Sequence, residues 1–325
     1  MIVASYLGDW NLLPHKICNN IDVYTCIFQQ INHYGYYLNL ICVCSFALFM
    51  LEKKRKLQIL YLLSFTLFVH TSIVNDSFGS YLATMLTMFL FLFIYFINYI
   101  RYKKFNLQSN KEKSSLVNNS FIVNIPFKSF FIKFLIVLLI FTILSCFTKN
   151  KDGDIIAIKN LESFGLDILS IVFNITGTEV QDNLQSKLKS MNMIGTARGI
   201  LWKNGINFIK DKPILGYGVE NLESKYLPLG IDQDRPHNLL IQLATTSGIP
   251  GMLLYSIAVG IIVFRGFKLL NSTNNECLII CLLCVIAYLI SAMFGNSMFY
   301  TSPYFFIFLG GLFGLEYMHF CNTKD

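Results

Sequence analysis

Apolar residues along this chain run in long blocks separated by short polar stretches. Seven blocks approach the length that crosses a bilayer, at roughly 34–51, 57–74, 80–100, 129–148, 248–264, 277–294 and 303–319, where about 20 residues of helix are needed. The first and fifth fall short of that, so their ends should extend into neighbouring residues. Uninterrupted blocks predict helices, because a spanning barrel shows alternating segments of about 10 residues. The expected fold is all-α: a polytopic helical membrane protein with about seven spanning helices and one large extracytoplasmic loop bearing short helices. Four parts follow: an extracytoplasmic N-terminal segment 1–33, four membrane helices in 34–148, the large loop 149–247, and three membrane helices with a short cytoplasmic tail in 248–325. Segment 1–33 has no basic stretch leading into an apolar one, as a signal peptide would. It reads more like a loop whose upstream helices are missing than like a free tail, so a truncated start is expected.

Composition excludes a soluble alternative. Hydrophobic residues make up 54% of the 325 and charged residues 14%, against about 45–50% and 25% in soluble domains. Mean hydropathy is +0.53. Charge then sets orientation. Lys53-Lys-Arg-Lys56 separates the first two blocks, Arg101, Lys103, Lys104, Lys111, Lys113 and Lys128 separate the third and fourth, and Arg265 and Lys268 follow the fifth. The alternate loops 75–79 and 295–302 contain no Lys or Arg. By the positive-inside rule the basic loops face the cytoplasm, and 149–247, with equal numbers of acidic and basic residues, lies outside. The net charge of +7 is thus a topology signal, and no nucleic-acid partner is expected.

The membrane interior carries few ionisable groups, and His70, Lys133 and Glu316 are the candidates. Lys133 and Glu316 lie near block ends, where snorkelling to the interface is the expected behaviour. Cys281-x-x-Cys284 has metal-like spacing, yet it sits inside a spanning block with no second pair or His partner. No His, Cys and carboxylate cluster has ligand spacing, so neither a metal nor another cofactor is expected.

Chemistry is therefore sought in the large loop. Residues 155–173 suit an amphipathic helix. Residues 196–210 have helical periodicity, with Thr196 as N-cap and Pro213 as stop, placing Arg198, Trp202, Gly205 and Ile209 on one face. Arg198 then lies in the first turn, where its guanidinium and free backbone N–H groups both favour an anion. Ile214-Leu-Gly-Tyr-Gly218 is a turn, its Gly-x-Gly being weak evidence for phosphate. Arg235-Pro-His-Asn238 opens a further helix with Pro236 in the first turn, and Gly248-Ile-Pro-Gly251 breaks the chain where the fifth block begins. Taken singly, these side chains have ordinary readings: Arg235 and Trp202 as interfacial anchors, His237 as a solvated residue at a helix start.

Taken in order, Arg198-x-x-x-Trp202, Lys210-Asp-Lys-Pro-Ile-Leu-Gly-Tyr-Gly218, His237-Asn-Leu-Leu-Ile-Gln242 and Thr246-Ser-Gly-Ile-Pro-Gly251 resemble the O-antigen ligase and bacterial polysaccharide polymerase family. The resemblance implies transfer of a polyprenyl-diphosphate-linked glycan to a glycan or lipid-anchor acceptor at the outer face of the bacterial inner membrane, in surface polysaccharide biosynthesis. Besides donor and acceptor, membrane lipids are the implied partners. Cationic side chains that neutralise the departing diphosphate make such a transfer metal-independent. By the match, Arg198 contacts the diphosphate and Arg235 is a second anion candidate. His237 orients or deprotonates the acceptor hydroxyl or holds the phosphate, and Trp202 belongs to the substrate-binding set. Family members place a Ser-Arg pair where this chain has Asn75-Asp-Ser-Phe-Gly-Ser80, with Phe78 in the place of Arg. A flippase or exporter of the same lipid-linked glycan, and a degenerate non-catalytic family member, stay open beside the transferase.

Overall fold

The computed structural model describes residues 31–75, 77–108, 126–149, 153–159, 198–270, 275–295 and 301–322, together with Glu162 and Gly165. The described helices are α1 (Ile31–Leu51), α2 (Arg55–Val74), α3 (Phe78–Gln108), α4 (Phe127–Phe147), α5 (Arg198–Asp211), α6 (Glu223–Tyr226), α7 (Leu239–Leu269), α8 (Glu276–Ala292) and α9 (Ser302–Asn322). Among the described residues no β-strand occurs, and pairing is limited to an isolated bridge between Lys149 and Ile155. Six helices (α1 to α4, α7 and α9) are long and apolar enough to cross a membrane, and α8 is an apolar helix of the 10–17-residue class. The chain is a polytopic helical membrane protein.

Contacts divide it into two units: residues 1–155, 260–291 and 298–325, and residues 156–259 and 292–297. In the first, α1 is the hub. Phe46 is fully buried, and its ring meets Phe91 at 5.6 Å, Phe65 at 6.1 Å and Phe134 at 6.5 Å. In lipid no hydrophobic drive separates helix from tail, so interdigitated rings and interhelical hydrogen bonds hold the bundle. Asn39 supplies the bonds. Its Nδ2 donates to Ala287 O at 2.9 Å and Ser291 Oγ at 2.7 Å, and its Oδ1 accepts from Thr84 Oγ1 at 2.9 Å. One amide thereby joins α1, α3 and α8. Such bonds average about 0.6 kcal/mol in membranes, so a cluster counts for more than any member.

Two intramembrane charges are used differently from their sequence expectation. Lys133 Nζ donates to the carbonyls of Phe49, Met50 and Glu52 at 3.1, 3.2 and 2.8 Å. It therefore caps the C-terminus of α1, where free carbonyls favour a cation. Glu316 does not snorkel: it is only 1% exposed and pairs with Arg265 Nε at 3.5 Å. The reason is that α7 brings a cation to the carboxylate inside the bundle, whereas sequence spacing shows only distance from a block end.

The fifth block begins at a break, as Gly248-Ile-Pro-Gly251 predicts: Gly248 (φ 75°, ψ 171°) is non-helical, so α7 consists of two helical segments, one from Leu239 to this kink and the spanning one from the kink to Leu269. Glycine makes this conformation accessible, and helical backbone resumes immediately. Pro236, by contrast, does not lie in the first turn: α7 begins at Leu239, and Asn238 Oδ1 accepts the Ile241 N–H at 3.1 Å. Of the expected amphipathic helix 155–173, residues 156–159 are helical. Most of the remainder, like Thr196 and segment 1–30, lies outside the described residues.

Candidate active site

The candidate residues all fall in the second unit, on α5, the turn after it and the start of α7. Helix α5 carries no acidic residue in its first turn and ends on Lys210-Asp211. Arg198 is its first residue and is buried, with 6% exposure. A guanidinium buried at the positive end of a helix dipole gains most from a nearby anion.

Below Arg198, Leu201, Leu222 and Tyr226 form a small core, against which Trp202, Phe208, Tyr217 and Ile231 pack. The Tyr226 hydroxyl donates to Leu201 O at 3.1 Å, and burial pushes its pKa up. This core fixes α5 to the α6 segment. A second attachment is at Gly205, where an added Cβ would lie 2.6 Å from Ile241 Cγ2 and 3.6 Å from Pro236 Cβ. Only a glycine lets α5 approach the Pro236–Ile241 segment so closely. Arg198 and Trp202 precede this contact by seven and three residues, about 10 and 5 Å along the axis at ~1.5 Å per residue. The structure thus seats the Arg198–Trp202 helix against the segment that holds His237.

His237 itself has φ +52°, a left-handed backbone that Gly adopts freely and that Asn, Asp and His adopt more often than other residues. Its Nε2 lies 3.1 Å from Gln233 Oε1. With that amide assignment Nε2 carries the hydrogen, and the basic lone pair falls on Nδ1. Asn238 caps α7, and its Nδ2 donates to Met293 O at 3.0 Å. Replacing Asn238 by Ala should remove the cap and leave the part-buried Met293 carbonyl without its donor. A loss of about 1–2 kcal/mol should lower the thermal midpoint of the purified protein, while Asn238→Asp, which keeps the capping oxygen, should recover part of it.

Arg235 is occupied elsewhere. Its Nη2 donates to both carboxylate oxygens of Glu220 at 2.7 Å, and its Nε lies 3.0 Å from Asp234 Oδ2. Two carboxylates around one guanidinium offset the charge that an anionic ligand would seek. The pairs also pin the 213–220 turn to the strand of chain leading into His237.

That turn is stitched to the bend in α7. Tyr217 N–H and Gly218 N–H donate to Thr245 O and Thr246 O at 2.8 and 2.9 Å, and Ile249 N–H donates to Pro213 O at 2.7 Å. Carbonyls and an amide freed by the bend are thereby satisfied. A Cβ at Gly248 would sit 1.9 Å from Ile214 O, so the close approach and the positive φ both require glycine. The Tyr217 and Gly218 amides are spent on this junction, and the Gly216 amide donates to Lys212 O at 3.1 Å. Tyr217 is held between the ammonium groups of Lys212 and Lys225, at 4.7 and 5.1 Å from its ring, and its hydroxyl donates to Asp211, which raises its pKa.

Trp202 Nε1, a donor, and Gln242 Oε1, an acceptor, are buried with no hydrogen-bond partner among the described residues. Such atoms are rare in native structures and suit a polar ligand or water. The sequence puts Trp202 in the substrate-binding set but gives Gln242, quoted only as the end of the His237 motif, no role of its own, although it lies one turn beyond the capping Asn238. The sequence likewise gives none to Glu220 and Asp234, whose role depends on folding. Among the described residues no three His, Cys, Asp or Glu side chains gather as a metal site.

A search among curated proteins found no match to this chain. A family model described as O-antigen ligase matches residues 59–256, which take in α5, the Gly-Tyr-Gly turn, His237 and the bend of α7. That match spans more than half of the 325 residues, and the chain accordingly belongs to the O-antigen ligase family.

Proposed function

We propose that this protein transfers a glycan from a polyprenyl-diphosphate carrier to an acceptor hydroxyl at the outer face of the bacterial inner membrane. The observation that carries this reading is the seating, through Gly205, of the Arg198–Trp202 face of α5 against the His237 segment. Attack of the acceptor oxygen on the anomeric carbon breaks its bond to the diphosphate. Negative charge grows on the leaving group, and Arg198 stabilises it through two-pronged N–H contacts. His237 takes the acceptor proton through the ring nitrogen not bonded to Gln233. Trp202 and Gln242 offer a donor and an acceptor to sugar hydroxyls, with the indole face as a stacking surface. Arg235 positions the His237 segment through Glu220 and Asp234, and contacts the diphosphate only if those pairs open.

Two measurements test the reading. Purified protein in liposomes, given a polyprenyl-diphosphate glycan and an acceptor, should release polyprenyl diphosphate and form the glycoside at an unchanged rate in excess chelator. Loss of turnover restored by a divalent ion would refute the cation-based account. Movement of the donor across the bilayer without release would favour the exporter. Orientation is checked separately in a variant with its native cysteines replaced. Lys187→Cys should react with an impermeant maleimide in intact cells and Lys111→Cys should not; the reverse pattern would put the site on the wrong face.

A further inference from the structure

At the end of the first unit that bears the Lys53–Lys56 loop, α1, α2 and α4 line an open cavity of about 650 Å³. Ile59, Leu62, Ile132 and Ile136 give it an aliphatic wall, and Arg55, Lys128 and Lys133 also line it. Its three cations are not equivalent. Lys133 spends its ammonium on the three carbonyls that end α1. Arg55 and Lys128 are exposed, and no ion pair among the described residues engages either. The neighbouring carboxylate, Glu52, is committed to the loop backbone: its Oε1 accepts from the N–H groups of Lys53 and Lys54, both at 2.8 Å. The Lys54 N–H is the main cause holding that carboxyl below its usual range. The cavity therefore keeps two uncommitted cations beside an aliphatic surface.

This pairing selects an amphiphile. A soluble phosphate ester makes no use of the Ile and Leu wall, and a zwitterionic lipid carries no net charge for Arg55 and Lys128 to neutralise. We propose that the cavity binds an anionic glycerophospholipid of the phosphatidylglycerol type, its phosphate between Arg55 and Lys128 and one acyl chain along Ile59, Leu62, Ile132 and Ile136. A guanidinium grips phosphate with two parallel donors and an ammonium adds a point charge. Basic clusters next to spanning helices attract anionic headgroups on the same grounds. The lipid would bridge α2 to α4 beside the basic loop. The inference is independent of the transfer reaction, since no residue of the candidate active site takes part.

Native mass spectrometry of the detergent-purified protein tests it, with titration by dioleoylphosphatidylglycerol, dioleoylphosphatidylcholine or inorganic phosphate. The wild type should retain phosphatidylglycerol on the order of tenfold more tightly than phosphatidylcholine. Arg55→Gln with Lys128→Gln should abolish that preference and leave phosphatidylcholine binding unchanged. Lys53→Gln with Lys56→Gln removes the same charge from residues that do not line the cavity, and should keep the preference. Equal binding of the two lipids by wild type would overturn the proposal, as would persistence of the preference in the Arg55/Lys128 variant or its loss in the Lys53/Lys56 variant. Competition by millimolar inorganic phosphate alone would show a free-anion site and overturn the lipid assignment.

Discussion

Arg198→Ala is expected to slow glycan transfer by on the order of 10²–10³-fold, the usual effect of removing one donor that meets charge developing in a transition state. Arg198 is buried at the N-terminus of α5, so its charge is little screened and the helix dipole adds to its pull on an anion. The loss should fall on the rate of the chemical step, because leaving-group charge is larger in the transition state than in the bound donor. Arg198→Lys should restore only part of the rate, since an ammonium lacks the planar fork. A change at a buried position can also perturb folding, so rates are compared at equal amounts of inserted, monodisperse protein. Arg101→Ala, which removes a charge from the far end of α3, should leave turnover near wild type under the same conditions. An Arg198→Ala protein that inserts normally and transfers at the wild-type rate would remove the residue from the mechanism.

His237→Ala should cost about 10²–10⁴-fold, the range for loss of a general base. The positive φ of His237 makes alanine an imperfect probe, because it adds backbone strain to the loss of the ring. His237→Asn separates the two effects: asparagine tolerates a left-handed backbone but offers no imidazole nitrogen. It should be as slow as His237→Ala while matching wild type in thermal midpoint. His237→Gly also relieves the backbone and leaves room for exogenous imidazole, which should return part of the lost rate. An active His237→Asn enzyme would show that the residue serves the turn and not the proton.

Much of the molecule was legible in the order of its residues. Long apolar runs can satisfy their backbone polar groups in lipid only as helices, and so the spanning segments were readable one by one. The family likeness was legible for a related reason: Arg198, Gly216, Gly218, His237 and Gly248 follow one another along the chain in turns and helix starts, which are local features. The helix-face arithmetic likewise placed Arg198, Trp202 and Gly205 together, since the 3.6-residue period is a local property.

Partnerships were not legible, because they depend on which elements meet. Arg235 looked like a free cation until folding brought Glu220 to it across 15 residues. Glu316 looked like a snorkelling side chain until α7 delivered Arg265. Gly216-Tyr-Gly218 was legible as a tight turn, but not that its amides would bond to Thr245 and Thr246. Asn39, unremarkable as one polar residue in an apolar run, became the knot of three helices. A sequence states where hydrogen-bonding and charged groups lie along the chain, and short-range periodicity turns that into helices and faces. Which donor finds which acceptor across tens or hundreds of residues is decided by packing, and that decision set Glu220 and Asp234 around the Arg235 guanidinium.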